Sequence, residues 1–221
     1  MFEEEKKSAA KKAASLLKEG MVVGLGTGST VDYFIGEASS LGISDTLIFL
    51  PTSLDSESKA RARGLKIESI NDHLRADIDI DGADEIDPHL DLVKGGGGAL
   101  LREKIIASAS KKFVVIADSS KLVERFSLLP VEVLPFSWKF TFEKLKRQGI
   151  SSKLRLSGSS PFITDNSNYI LDLDIREIKD QKALERNVRS IPGVIETGLF
   201  IELADMAIIG EEVKSVDRSG V

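Results

Sequence analysis

DIDIDGADEID, residues 77–87, sets six carboxylates in eleven positions around one glycine. Like charges repel, so the run needs a physical reason: a bound cation, acid–base chemistry, or a solvated edge. The choice decides the fold. A calcium loop of the EF-hand kind lies between helices, whereas acids at the end of a strand belong to a sheet. Asp77, Asp79, Asp81 and Gly82 match roughly the first half of the D-x-D-x-D-G loop, but its closing bidentate Glu is replaced by Pro88. Asp also alternates with Ile78 and Ile80, the period of a strand that buries one face and turns its carboxylates to the other. Calcium is therefore set aside. A solvated strand edge accounts for Asp77, Asp79 and Asp87, the last with Pro88 as turn chemistry. It does not account for a dense acid turn just before the glycine run KGGGGAL (94–100). In parallel α/β sheets, sites gather at the carboxyl ends of strands, where Asp81 and Asp84 would sit. Crowding there can keep a proton on one carboxyl while its neighbour accepts.

Working outward, strand and helix patterns alternate. Ala9, Ala13, Leu16 and Leu17 recur at helical spacing, and Met21 to Leu25 read as a buried strand. Val31, Phe34, Ile35 and Ala38 resume the helical period, followed by strand 47–50, helix DSESKARARG and strand LKIESI (65–70). After the acid run come a short strand at 90–93, helix LLREKIIASA and the apolar strand FVVIA (113–117). This rhythm predicts a Rossmann-like parallel sheet of the α/β class. Past Pro130 the order changes to β-α-β-β-α-β, a ferredoxin-like α+β unit. The expected division is residues 1–128 with 201–221 in the larger domain and 129–200 in the smaller. MAIIG (206–210) is expected to return to the first sheet.

Composition narrows the classes. The 221 residues are 42% hydrophobic, enough for one sizeable core and a smaller second one. A net charge of −5 without a basic stripe argues against nucleic acid. With no cysteine, thiolate catalysis and Cys-based zinc sites are excluded. The charged N-terminal segment lacks a signal-peptide core, and no apolar run reaches the ~18 residues of a membrane span. A soluble, cytoplasmic protein with no membrane partner is expected.

Two glycine loops suggest what the acids face. GLGTGST (24–30) links a strand to a helix, so its amides lie at a helix N-terminus, an anion site supplemented by the hydroxyls of Thr27, Ser29 and Thr30 around Gly28. The dinucleotide pattern fails at Ser29, and the P-loop pattern fails for want of a lysine. A small phosphorylated ligand fits better than NAD or ATP; a plain tight turn is the competing reading. In KGGGGAL, four glycines raise the entropy lost on folding, each by about 0.5–1 kcal/mol relative to Ala, which close approach of backbone to a ligand would explain. Lys94 brings a cation to the rim. Glu103, early in the next helix, reads either as a dipole-complementing carboxylate or as a general base. Lys121 is either a surface lysine or a second cation at the same sheet edge.

GLGTGST, DGADEID, KGGGGALLREK and VIADSSKL, in this order, closely resemble ribose-5-phosphate isomerase of the A type. PVEVLPF, TDNSNYILDL and IPGVIETGLF extend the resemblance over nearly the whole chain. It implies an aldose–ketose isomerase of the pentose phosphate pathway, working through a cis-enediolate without metal or organic cofactor. It further implies Glu103 as the proton-carrying base, Asp81 and Asp84 assisting ring opening and hydroxyl proton transfer, and Lys94 with Gly95, Gly96 and Gly97 stabilising the oxyanion. Thr27, Gly28, Ser29, Thr30, Gly82, Ala83 and Lys121 would complete substrate binding, with Lys6 or Lys7 reaching the phosphate. A homodimer or homotetramer is implied as well. Asp79 departs from the pattern, which usually has a small or apolar residue there. His73 and His89 fall outside every matched motif and read as surface or structural residues. Two rivals are a non-catalytic sugar-phosphate sensor and a coenzyme A transferase relative. The first is disfavoured by the retained acids, and the second is separable by acyl-CoA labelling of a glutamate.

Overall fold

The short apolar runs between glycines become the strands of a parallel sheet. The computed structural model describes residues 1–216. Helix α1 (Phe2–Ala14) leads into β1 (Val22–Leu25), α2 (Ser29–Ser39), β2 (Ile48–Pro51), α3 (Leu54–Ala62) and β3 (Ile78–Asp81). Short strands β4 (Glu85–Ile86) and β5 (Leu92–Val93) precede α4 (Leu100–Ser108) and β6 (Phe113–Ala117). Then come β7 (Leu128–Val133), α5 (Trp138–Arg147), β8 (Ser152–Leu154), the ribbon β9 (Leu156–Ser157) with β10 (Ser160–Pro161), and β11 (Tyr169–Asp174). Helix α6 (Gln181–Arg189), β12 (Val194–Thr197), β13 (Leu199–Phe200), β14 (Met206–Ile209) and β15 (Glu212–Ser215) complete the order.

The main sheet has six strands in the order β15-β14-β6-β3-β1-β2. All its pairs are parallel except β14 with β15. MAIIG thus returns beside β6, in register from Met206 with Val114 to Ile209 with Ala117. Ala9, Ala10, Ala13 and Ala14 are buried, and such small side chains let α1 lie close against Val31, Phe34 and Ile35 of α2. The second sheet is antiparallel, in the order β12-β7-β11-β8. That order arises from a split βαβ arrangement: β8 lies two places from β7, with β11 between them. Leu129, Val131, Val133, Leu171 and Leu173 from this sheet pack with Leu145 and Val188 in a core of their own. The fold is α/β, a Rossmann-like parallel sheet with a smaller α+β layer. A small three-stranded sheet, β13-β5-β4, joins the segments carrying Lys94 and Asp84.

Three expectations need correction. Strand β3 does not turn a face to water: it lies between β1 and β6, and all four of its residues, Asp79 included, are buried. LKIESI forms only an isolated bridge between Ile67 and Phe49. β15 was not anticipated, because its sequence EVKS is short, polar and exposed on an edge. Residues 217–221 of the expected larger domain lie outside the described residues.

Candidate active site

The carboxyl ends of β1 and β3 open onto one cleft, as parallel topology dictates. Thr27, Gly28, Ser29 and Thr30 form one wall, and Gly82, Ala83 and Asp84 a second. Lys94, Gly95, Gly96, Gly97, Glu103 and Lys121 close the remainder around about 120 Å³. Of the residues expected from the sequence, Asp81 lies behind the wall rather than on it, and Lys6 and Lys7 lie away from the cleft.

Gly28 occupies the N-cap position of α2 with φ of 117°, a conformation that L side chains rarely adopt. The α2 amides therefore face the cleft mouth without a competing side-chain cap. At Gly26 a Cβ would lie 2.0 Å from Asp81 Oδ1, so the absence of a side chain lets the Asp81 carboxylate press against the loop. Asp81 Oδ1 accepts from Thr27 N at 3.0 Å and Gly82 N at 2.7 Å. The acid thereby ties the Thr27 loop to the end of its own strand. The Thr27 hydroxyl is held in turn by Thr52 and Ser53, at 2.9 and 2.8 Å.

A buried charge cluster forms the floor. Lys94 Nζ lies 3.0 Å from Asp81 Oδ2 and 3.3 Å from Glu103 Oε1, and donates to Gly82 O at 2.5 Å. Burial opposes the charge on Lys94, but the carboxylates of Asp81 and Glu103 outweigh it and raise its pKa. Glu103 is only 4% exposed. Burial, then the charge of Asp81, push its pKa up to about 8 against the pull of Lys94. Its Oε2 has no hydrogen-bond partner. Asp81 is likewise raised, chiefly by burial, with Lys94 and the two amides restraining the shift. Asp84 is placed differently: half-buried on the wall, it accepts from Gly96 N at 2.6 Å.

The cluster is gripped from both sides of α4. Arg102 donates to Asn166 Oδ1 and Asp165 O at 2.8 and 3.0 Å, and Lys104 donates to Glu196 Oε1 and Thr197 O at 3.0 and 2.7 Å. Glu103 between them is directed to Lys94. Arg155 donates to Gly95 O and Gly96 O at 2.6 and 2.9 Å and pairs with Asp172, fixing the glycine run from outside. Sequence reasoning missed Thr52, Ser53 and Arg155. Thr52-Ser53 follow β2 at the same sheet edge, a usable signal; Arg155 is brought in from a distant ribbon and has none.

The remaining acids and histidines lie elsewhere. Asp77 binds Val22 N at 2.9 Å and Lys111 Nζ at 2.6 Å. Asp87 accepts from His89 N and Asp91 N, a local turn. His73 pairs with Glu68. Lys6 and Lys7 pair with Glu3 and Glu4, and neither lines the cleft. Among the described residues, no group of three or more His, Asp or Glu could hold a metal ion, and no helix is long and apolar enough to cross a membrane.

Fold and cleft together define an α/β protein with an uncapped helix N-terminus facing a cleft floored by a buried carboxyl–ammonium cluster. Residues 48–214 match the family model of ribose 5-phosphate isomerase A (phosphoriboisomerase A). The chain is 45% identical over 212 residues to ribose-5-phosphate isomerase A 1 of Oceanobacillus iheyensis, covering 94% of each. It is 43% identical over 220 residues to the Korarchaeum cryptofilum ribose-5-phosphate isomerase A, covering 97% of each. A solved D-ribose-5-phosphate isomerase in complex with phospho-erythronic acid superposes with a TM-score of 0.92 at 39% identity, covering 99% of this chain and all of that one. The chain belongs to the ribose 5-phosphate isomerase A family.

Proposed function

We propose that this protein interconverts D-ribose 5-phosphate and D-ribulose 5-phosphate by moving one proton between C1 and C2. The Glu103–Lys94 contact of 3.3 Å at the floor of an anion-ready cleft carries the reading. The phosphate would sit on the α2 amides, with the hydroxyls of Ser29 and Thr30 and the Lys121 ammonium. That places the aldehyde end of the open sugar toward Glu103. Glu103, as carboxylate, takes the C2 proton; the C2–H electrons form the C1–C2 double bond, and the carbonyl O1 becomes an oxyanion. The same carboxyl returns the proton to C1, while the O2 hydroxyl proton passes to O1. Lys94 stabilises the enediolate charge, and Asp84 on the wall serves the hydroxyls and ring opening. Asp81, its oxygens engaged by Lys94 and two amides, positions Lys94 and the Thr27 loop.

Supporting the substrate assignment, phospho-erythronic acid joins a phosphate to a short hydroxylated chain ending in a carboxylate, a charge pattern like that of an enediolate phosphate. No observation favours the non-catalytic sensor. Incubation with ribose 5-phosphate under EDTA, followed by NMR, tests the reading: ketose should appear, and its absence in a folded sample contradicts it.

Further parts of the proposal are the cytoplasmic location and a homodimer or homotetramer, testable by fractionation and light scattering. Phe136, Ile163, Leu156 and Phe140 are exposed large apolar side chains of the segment around the second sheet, consistent with self-association. The division at 129 and 200 is proposed on the separate core of that sheet.

A further inference from the structure

Asp79 is the one carboxylate of the acid run that has neither a place on the cleft wall, nor a pairing cation, nor a hydrogen-bond donor. It is 0% exposed, and neither of its oxygens has a hydrogen-bond partner. Its position is tightly defined. It pairs in register with Gly24 of β1 on one side and Phe113 of β6 on the other. A Cβ at Gly24 would meet both Asp79 Oδ1 and Ile106 Cγ2 at 2.5 Å, so the carboxyl is wedged between the β1 backbone and α4. Along β3 it shares a face with Asp81, two residues on, and along α4 Ile106 lies one turn beyond Glu103. Asp79 therefore occupies the row directly beneath the Asp81–Lys94–Glu103 cluster.

The charged groups acting on it are Asp81 on its own strand, Glu103 on α4 and Lys94 after β5. Neither Gly24 nor Phe113, its strand neighbours, can titrate. Asp77, farther down the strand, is already paired with Lys111. Lys94 itself is engaged by Asp81, Glu103 and Gly82 O, leaving no donor for Asp79. An ionised carboxylate without a donor or a paired cation is prohibitively costly in such a place, and a neutral acid is much less so. Burial foremost, then the charge of Asp81, hold the Asp79 proton well above the usual carboxylate range.

We propose that Asp79 is a neutral carboxylic acid in the folded protein and a positioning residue for the Glu103 base, its proton keeping a third negative charge out of the chamber that Asp81 and Glu103 share with Lys94. Loss of that proton would place a like charge beneath a site whose transition state is itself anionic. Ionisation of Asp79 then lowers activity as pH rises, whereas ionisation of Glu103 supplies the base.

Two readouts on wild type and Asp79→Asn test this, and only the kinetic one rests on the proposed isomerase activity. In thermal unfolding across about pH 5 to 9, the variant should gain on wild type as pH rises. The folded wild type must retain a proton that the unfolded aspartate has released, and Asn removes that requirement. In the pH profile of kcat, the acid limb should stay in place and the alkaline limb should move up or vanish, with KM changed less than about threefold. A melting-temperature difference independent of pH, together with superimposable profiles, overturns the proposal. Should Asp79→Asn not fold, 13C carboxyl NMR of the wild type gives the answer. The resonance assigned to Asp79 should remain in the acid form near pH 7, and its ionisation below about pH 6 overturns the inference.

Discussion

The Lys94 ammonium stands 3.3 Å from Glu103 Oε1, yet Glu103 still binds its proton far more tightly than an ordinary carboxyl group. Burial and the neighbouring Asp81 outweigh the cation. A carboxyl poised near neutrality both accepts and returns a proton readily, which a reversible isomerase needs.

Because Glu103 in the free protein is pushed up to about 8, kcat/KM should rise with pH through that region as the carboxylate forms. Stability has the opposite slope. An acid whose folded pKa is raised contributes fully below its unfolded value near 4.5, and the contribution is lost as pH rises through about 8. Glu103→Gln should therefore gain melting temperature relative to wild type between these limits. A constant offset would show that Glu103 is ionised throughout.

Lys94→Met leaves Asp81 and Glu103 buried without their cation. Unfolding at neutral pH should be easier by about 3–5 kcal/mol, the usual consequence of breaking one side of a buried pair. The deficit should shrink in acid as the carboxyls take up protons. Urea unfolding at two pH values measures both effects.

Lys121→Ala removes the cleft ammonium proposed to hold the phosphate but leaves the Asp81–Lys94–Glu103 cluster intact. KM should rise about 10–100-fold, corresponding to roughly 1.5–3 kcal/mol, with kcat changed much less. Weaker competition by inorganic phosphate should accompany the change.

Arg155→Ala should loosen the glycine run, because the carbonyls of Gly95 and Gly96 lose their donor and Asp172 loses its partner. A higher KM and faster amide exchange at 95–97 are expected. Unchanged exchange there would show that the run holds its shape alone.

Much of this site was legible because its groups lie in local patterns beside glycines. GLGTGST announces a helix N-terminus, and KGGGGAL announces close backbone approach. Glu103 follows within one turn of α4. The misreadings have a common physical cause. Alternation along DIDID reveals two faces but not what covers them; only the position of β3 between β1 and β6, beneath α4, turns Asp79 from a solvated acid into a buried one. Arg155 and Lys104 act through contacts 59 to 93 residues away in sequence, which local pattern does not encode. DGADEID likewise gives no sign that Asp81 would lie behind the wall and Asp84 on it.

The most direct test of Glu103 as the proton carrier is isotope uptake from solvent. Ribose 5-phosphate incubated with the protein in deuterated water should yield ketose and acquire deuterium at C2 of the aldose. Glu103→Gln, folded and with an unchanged melting profile at acid pH, should lose both by about 10²–10⁴-fold. Wild-type turnover and deuterium uptake in that variant would contradict the assignment.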